Sequence, residues 1–283
     1  MNLRELSNLS YVKLNEELRE DLDSENLEND ITSKLLINKR TILDCIISNR
    51  DPLILCGSLF IENFFKKKLP LIKINRFFND GEKLAKHSKI FSISGNSKKI
   101  LAVERTILNF LQHLSSIATT TNNFVLKMKS NKTKLLDTRK TTTGLRRLEK
   151  YATLIGGAKN HRMGLYDEIL IKDNHIKVLG GFKKIMKKLK VNKILNYKIE
   201  CETFQEVIKC AEMGAKYILL DNMDPSEIKK CIQFKKKKKI EFEISGGITV
   251  DNISKYSLLG ADYISTSKIT NCPNSVDIGL DII

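Results

Sequence analysis

Six short apolar runs in the second half of this 283-residue sequence each break into residues that can do chemistry. "KLLDT" (134–138) runs into Arg139 and Lys140, and "EILI" (168–171) into Lys172, Asp173 and Asn174. "YKIE" (197–200) stops on Glu200, and "YILLD" (217–221) on Asp221 and Asn222. "EFEIS" (241–245) ends in Ser245, Gly246 and Gly247, and "DYIST" (262–266) in Ser265, Thr266 and Ser267. Guanidinium forks and ammonium groups suit carboxylates and phosphates. Carboxylates can stabilise a developing cation or hold a metal. A Gly-Gly turn lets backbone N–H groups approach a phosphate with no side chain in the way. One polar strand end is explained as a helix cap. Six in succession, mixing cations, carboxylates and a glycine pair, point to a charged mouth built for an anionic ligand.

Those ends need elements to hold them. From about residue 130 the chain alternates apolar runs of four to six residues with amphipathic stretches of ten to fifteen, the pattern of a parallel sheet or barrel. "TTGLRRLEKYATLI", "GGFKKIMKKLK", "TFQEVIKCAEMG", "DPSEIKKCI" and "TVDNISKYSLLG" read as the intervening helices. In a barrel of βα units the C-terminal mouth binds ligands, with residues drawn from several strand ends. The first ~115 residues mix strands and helices without that alternation, which predicts a separate α+β domain. "KKILAVERTILNFLQHLSSIATTTNNFVLKM" reads as two helices, and "VDIGLDI" as a last strand. The expected division is an N-terminal domain over 1–115, a barrel carrying the site over 116–267, and a segment 268–283 returning to the first domain.

Composition narrows the classes. A hydrophobic content of 41% in 283 residues suffices for a large core. The longest apolar stretch, "PLILCGSLFI", falls far short of the ~20 residues a membrane span needs. The N-terminus has no apolar region of a secretory signal, and six cysteines (Cys45, Cys56, Cys201, Cys210, Cys231, Cys272) form no C-x-x-C pair. A cytoplasmic protein with reduced thiols is expected. The net charge of +16 invites a nucleic-acid reading, but the run "KKKKK" at 235–239 has no interleaved aromatics and reads as a solvated loop.

Together, "ERTILNFLQHLSSIAT" (104–119), "LLDTRKTT" (135–142), "GGAKNHRMGLYDEILIKDNHI" (156–176), "YILLDNM" (217–223) and "EISGGIT" (243–249) closely resemble quinolinate phosphoribosyltransferase, also called nicotinate-nucleotide pyrophosphorylase (carboxylating). The resemblance runs in order along essentially the whole chain. It implies an N-terminal α/β sandwich packed on an incomplete α/β barrel, assembled as a homodimer or a multiple of dimers with shared sites. It implies, too, the conversion of quinolinate and phosphoribosyl pyrophosphate to nicotinate mononucleotide, pyrophosphate and CO2, with Mg2+, in NAD biosynthesis. Carried over by position, Arg105 would reach the neighbouring subunit's site, and Arg139, His161 and Arg162 would hold the quinolinate carboxylates. Lys140 and Lys172 would sit between the substrates, and Glu200 and Asp221 would face the ribose and its magnesium. Ser245, Gly246 and Gly247, with Thr266, Ser267 and Lys268, would cradle the 5-phosphate, with Thr138 beside them in the substrate site.

Other readings stand beside these. Glu104 and Arg105 would serve equally as a surface pair, His161 or His175 as scaffold, Asn222 as a cap, and Glu202 as a surface residue. Where the family often has proline this chain has Thr143; Ser267 stands for a glycine of the phosphate turn and Asn271 for a frequent histidine. A same-fold paralogue with altered activity, or a basic nucleic-acid-binding protein, are the alternative functions.

Overall fold

The computed structural model describes residues 2–235 and 239–283, so the middle of the lysine run, 236–238, lies outside the described residues. The chain forms two compact units: Met1–Asn122 with Arg147–Gly156 and Pro273–Ile283, and Asn123–Arg146 with Gly157–Cys272. Its strands, in chain order, are β1 (Ile42–Asn49), β2 (Leu53–Ile54), β3 (Lys73–Arg76), β4 (Lys83–Leu84), β5 (Lys89–Asn96), β6 (Lys134–Leu136), β7 (Leu170–Ile171), β8 (Lys198–Cys201), β9 (Tyr217–Asp221), β10 (Glu241–Ser245), β11 (Tyr263–Ser265) and β12 (Ile278–Ile282).

The first unit is built on an antiparallel sheet in the order β12-β1-β5-β3. Cys45 and Ile47 of β1 and Phe91 and Ile93 of β5 join Leu14 and Leu18 from the helix Leu3–Leu22, and Phe64 and Phe65 from Ser58–Lys68, in one core. Asp80 caps the latter helix, accepting the N–H of Gly57 at 3.0 Å and of Ser58 at 2.8 Å.

One unbroken 31-residue helix, Ser97–Lys127, stands where two were expected. The Ser/Thr-rich stretch inside it serves tertiary bonding. Ser115, Ser116, Thr119 and Thr120 accept the backbone N–H groups of Cys56, Val276, Ile54 and Asn274 at 2.9–3.1 Å. These hydroxyls tie neighbouring segments to the helix, and tertiary bonding overrides their weak helix propensity. The first compact unit accordingly continues along this helix to Asn122.

The units differ from the expected division in two further places. Residues 147–156 cluster with the first unit, and the returning segment starts at Pro273. The first difference follows from polar and aromatic partners: the Tyr151 hydroxyl donates to Asp80 at 2.9 Å, its ring lies 5.2 Å from that of Phe60, and Glu149 pairs with His113 at 2.8 Å.

The second unit is an incomplete α/β barrel, six parallel strands in the order β6-β11-β10-β9-β8-β7. Strand alternation sorts its side chains. Leu135, Ile199, Cys201, Ile218, Leu220, Phe242, Ile244 and Ile264 pack outward with Ile185, Val207, Cys210, Ile228 and Ile253 of the surrounding helices. The helix Phe204–Glu212 starts in a capping box of Thr203 and Glu206. Beyond β6, Lys159 makes a parallel bridge to Leu136 and extends that edge.

Candidate active site

The alternate positions of the same strands, Glu200, Leu219, Asp221, Glu243, Ser245 and Ser265 among them, line a cavity of about 530 Å3 in the second unit. Thr138, Arg139, Lys140, His161, Arg162, Lys172, Glu200, Asp221, Ser245, Gly246, Gly247, Thr266, Ser267 and Lys268 all line it, bringing the polar strand ends together with His161, Arg162 and Lys268, which the resemblance supplied. Arg105 does not; it is exposed on the helix Ser97–Lys127 of the first unit. It makes no ion pair with Glu104 among the described residues. Asn271 is exposed and is not in the lining either.

One wall is cationic and preorganised. Asp137 at the end of β6 is fully buried and accepts the His161 N–H at 2.8 Å and the Asn160 amide at 2.6 Å, which fastens the 160–162 loop beside the strand. Arg162 is buried, and its Nη1 donates to the Glu168 carbonyl at 3.0 Å. Burial holds the Arg162 guanidinium below its ordinary pKa, and the charge of Arg139 pushes the same way. Arg139 Nε is buried without a hydrogen-bond partner among the described residues. Two cations share a poorly solvated wall with a donor to spare, a state that a bound anion relieves.

Arg146 braces this wall, donating to Thr141 Oγ1 at 3.2 Å, the Met163 carbonyl at 3.4 Å and the Arg139 carbonyl at 3.5 Å. Thr270 Oγ1 donates to the Lys140 carbonyl at 2.7 Å, and Thr138 Oγ1 accepts the Lys140 N–H at 3.1 Å.

Facing these are the carboxylates. Glu200 is buried and its Oε2 lies 3.0 Å from Lys172 Nζ. Lys172 is the N-cap of an unforeseen helix, Asp173–Leu179, and its N–H donates to His175 Nδ1 at 2.9 Å. His175 is thus scaffold, exposed and outside the lining. Asp221 accepts from the Asn222 amide at 2.9 Å. Glu202 is exposed, its N–H bonded to Glu206 at 2.8 Å.

The glycine pair divides its duties. Gly246 has φ +90°, and a Cβ there would lie 2.1 Å from Asn222 Oδ1. Asn222 is no helix cap: at φ 52° it donates its N–H to the Ser245 carbonyl at 3.0 Å and packs on the turn. Gly247, at φ +62°, has nothing within 4 Å of the Cβ position and faces open space. Ser267 sits at φ −84°, where a side chain carries no strain. The Thr266 hydroxyl donates to the Ile248 carbonyl at 2.9 Å and accepts the Lys268 N–H at 3.2 Å, shaping the opposite lip.

Sequence reasoning missed Glu243, Arg146 and the part Asn222 plays. Glu243 is fully buried below the mouth, and its Oε2 accepts from the Tyr217 hydroxyl at 2.6 Å and lies 3.4 Å from His161 Nε2. Its signal was present: it stands two residues before Ser245 on one strand, and so on the same face.

Comparison with known proteins agrees along the chain's length. Residues 30–115 match the family described as quinolinate phosphoribosyl transferase, N-terminal domain, and residues 117–281 its C-terminal domain. A probable nicotinate-nucleotide pyrophosphorylase [carboxylating] of Methanocaldococcus jannaschii is 40% identical over 264 residues, covering 90% of this chain and 92% of that protein. The protein of the same name in Bacillus subtilis is 34% identical over 255 residues, 89% of this chain and 88% of its own length. The solved nicotinate-nucleotide pyrophosphorylase of Francisella tularensis superposes with a TM-score of 0.89 at 34% identity, covering 98% of this chain and 97% of that one.

Proposed function

This chain belongs to the quinolinate phosphoribosyltransferase family, and from that premise we propose which of its residues carry each part of the reaction. It transfers the phosphoribosyl group of phosphoribosyl pyrophosphate to quinolinate, with decarboxylation, giving nicotinate mononucleotide, pyrophosphate and CO2 in NAD biosynthesis. The observation that carries the assignment of roles is the Arg139–Arg162 wall, two cations with an unmet donor in a lined cavity. A dianion such as quinolinate supplies the missing charge and acceptors, and planar guanidinium groups take carboxylates bidentately.

The remaining groups are allotted by the same reasoning. Ser245, Gly246 and Gly247, with the lip at Thr266, Ser267 and Lys268, hold the 5-phosphate in the open space at Gly247. Asp221, the register partner of Ser245 on the neighbouring strand, and Glu200 one strand further on stabilise positive charge that develops at the ribosyl carbon as pyrophosphate leaves. Lys140 and Lys172 take up charge on the departing pyrophosphate. Loss of the carboxylate beside the ring nitrogen follows once that nitrogen is ribosylated, because the cationic ring accepts the electron pair.

Among the described residues no three His, Cys, Asp or Glu side chains gather as a metal cage, while Glu200 and Asp221 are each already engaged by one donor. That donor set fits magnesium, which keeps waters and substrate phosphates as ligands and takes one or two carboxylates from a protein. Glu200 and Asp221 are the residues that would hold it, and it would supply neutralisation of the pyrophosphate. Arg105, exposed on its helix, is assigned to the site of a second copy in a homodimer. The test of the whole reading is incubation with quinolinate, phosphoribosyl pyrophosphate and magnesium. Equimolar nicotinate mononucleotide and CO2 are expected, and their absence with folded protein would refute it.

A further inference from the structure

Below the mouth, where barrels usually hold layers of branched apolar side chains, this one holds a closed circuit of polar contacts that begins and ends at Arg162. The Arg162 N–H donates to His161 Nδ1 at 2.8 Å, and His161 Nε2 faces Glu243 Oε2 at 3.4 Å. The same Glu243 oxygen accepts from the Tyr217 hydroxyl at 2.6 Å. Lys198 Nζ lies 4.3 Å from the centre of the Tyr217 ring and 2.8 Å from Glu168 Oε2. The Glu168 carbonyl accepts from Arg162 Nη1 at 3.0 Å, which closes the ring. Arg162 is therefore gripped at its backbone and at its guanidinium.

The chemistry of each link fixes the next. Burial raises the Tyr217 pKa, and the negative charge of Glu243 raises it further, so the phenol stays a donor. Burial opposes ionisation of Glu243, yet His161, Ser265 and Tyr217 together hold its carboxyl below the usual range, so it only accepts. A backbone N–H can donate to His161 Nδ1 only if that nitrogen carries no proton. The proton of the ring is then on Nε2, pointed at a carboxylate. Both ring nitrogens are spent inside the protein.

We propose that Glu243 is a positioning residue for quinolinate binding: it fixes the ring and tautomer of His161 and, through His161, the backbone that carries Arg162. His161 on this view orients the cationic wall. The proposal rests on the assignment of Arg162 to quinolinate.

Its test has two arms. In protein labelled with 15N-histidine, the His161 resonances, assigned by their loss in His161→Gln, should show Nδ1 without a proton and Nε2 with one. This arm needs no variant at Glu243 to fold, and a proton on Nδ1 overturns the proposal. In Glu243→Gln, the quinolinate KM should rise about tenfold while kcat and the phosphoribosyl pyrophosphate KM move less than about threefold. An unchanged quinolinate KM, or equal losses in all three constants, also overturns it. Arg162→Ala separates the two levels of the argument. If that variant raises the quinolinate KM and folded Glu243→Gln does not, only the role of Glu243 falls; if neither does, the assignment of Arg162 falls with it.

Discussion

Alanine at Gly246 and alanine at Gly247 should fail in different ways, although the two residues are adjacent and both have positive φ. At Gly246 the new methyl would meet Asn222 Oδ1 at 2.1 Å, Cγ at 2.5 Å and the backbone N at 2.7 Å. The side-chain atoms can swing away, but the backbone N is held by its bond to the Ser245 carbonyl. Left-handed strain of about 1–2 kcal/mol adds to overpacking of about 1–3 kcal/mol, so the loss of stability is roughly 2–5 kcal/mol. At about 2–4 °C per kcal/mol, the midpoint should drop on the order of 10 °C. At Gly247 nothing lies within 4 Å of the methyl, so only the strain remains, about 1–2 kcal/mol. That methyl instead fills the space assigned to the 5-phosphate. Its KM for phosphoribosyl pyrophosphate should rise at least about tenfold, the equivalent of 1.4 kcal/mol, with quinolinate affinity kept. Thermal denaturation and initial-rate kinetics on the two variants decide it. A Gly247→Ala enzyme with an unchanged phosphoribosyl pyrophosphate KM would refute the placement of the phosphate.

Three further outcomes follow from the same geometry. Ser267 has no strain to release at φ −84°, so Ser267→Gly should leave the phosphoribosyl pyrophosphate KM unchanged or raise it a few-fold, and a clear fall in steady-state assays contradicts this. Arg105→Ala mixed with Lys140→Ala should regain activity through hybrid dimers having one intact site, each variant being nearly inactive alone. No recovery, once mass spectrometry shows subunit exchange, makes each chain's site self-contained. Glu62 is held below the ordinary carboxylate range by its bond from Lys66, against burial, with Arg76 Nε at 2.8 Å adding to the effect. A depressed carboxylate stabilises the fold above its unfolded pKa and loses that contribution as pH falls through the folded value. Glu62→Gln should thus cost about 0.5–1 kcal/mol at pH 7, with the gap from the parent closing as pH falls below the ordinary glutamate range in urea denaturation.

The mouth was legible in the sequence because strand ends interrupt apolar runs with charge, and a local break needs no tertiary information to be seen. For Glu243 the sequence offers only the shared face with Ser245 inside "EFEIS"; its partners, Tyr217 and His161, are supplied by the inward face of the barrel. The helix Ser97–Lys127 is one where two were expected, and the segments that donate to its hydroxyls come from distant parts of the sequence. Residues 147–156 follow a barrel strand in sequence, but Tyr151 and Glu149 find their partners in the first unit, so the compact units depart there from order along the chain. Family resemblance gave His161 a place in the site, and the residue lines the cavity. That both its nitrogens are occupied, by Arg162 and Glu243, is a property of distances alone.

The central claim is that Arg139 and Arg162 form one dianion site, and calorimetric titration of quinolinate reads it without catalysis. The parent protein should bind quinolinate, and Arg139→Ala and Arg162→Ala, each folded by circular dichroism, should each weaken it by roughly 2–4 kcal/mol, about 30- to 1,000-fold. Parent-like affinity in either variant would contradict the claim.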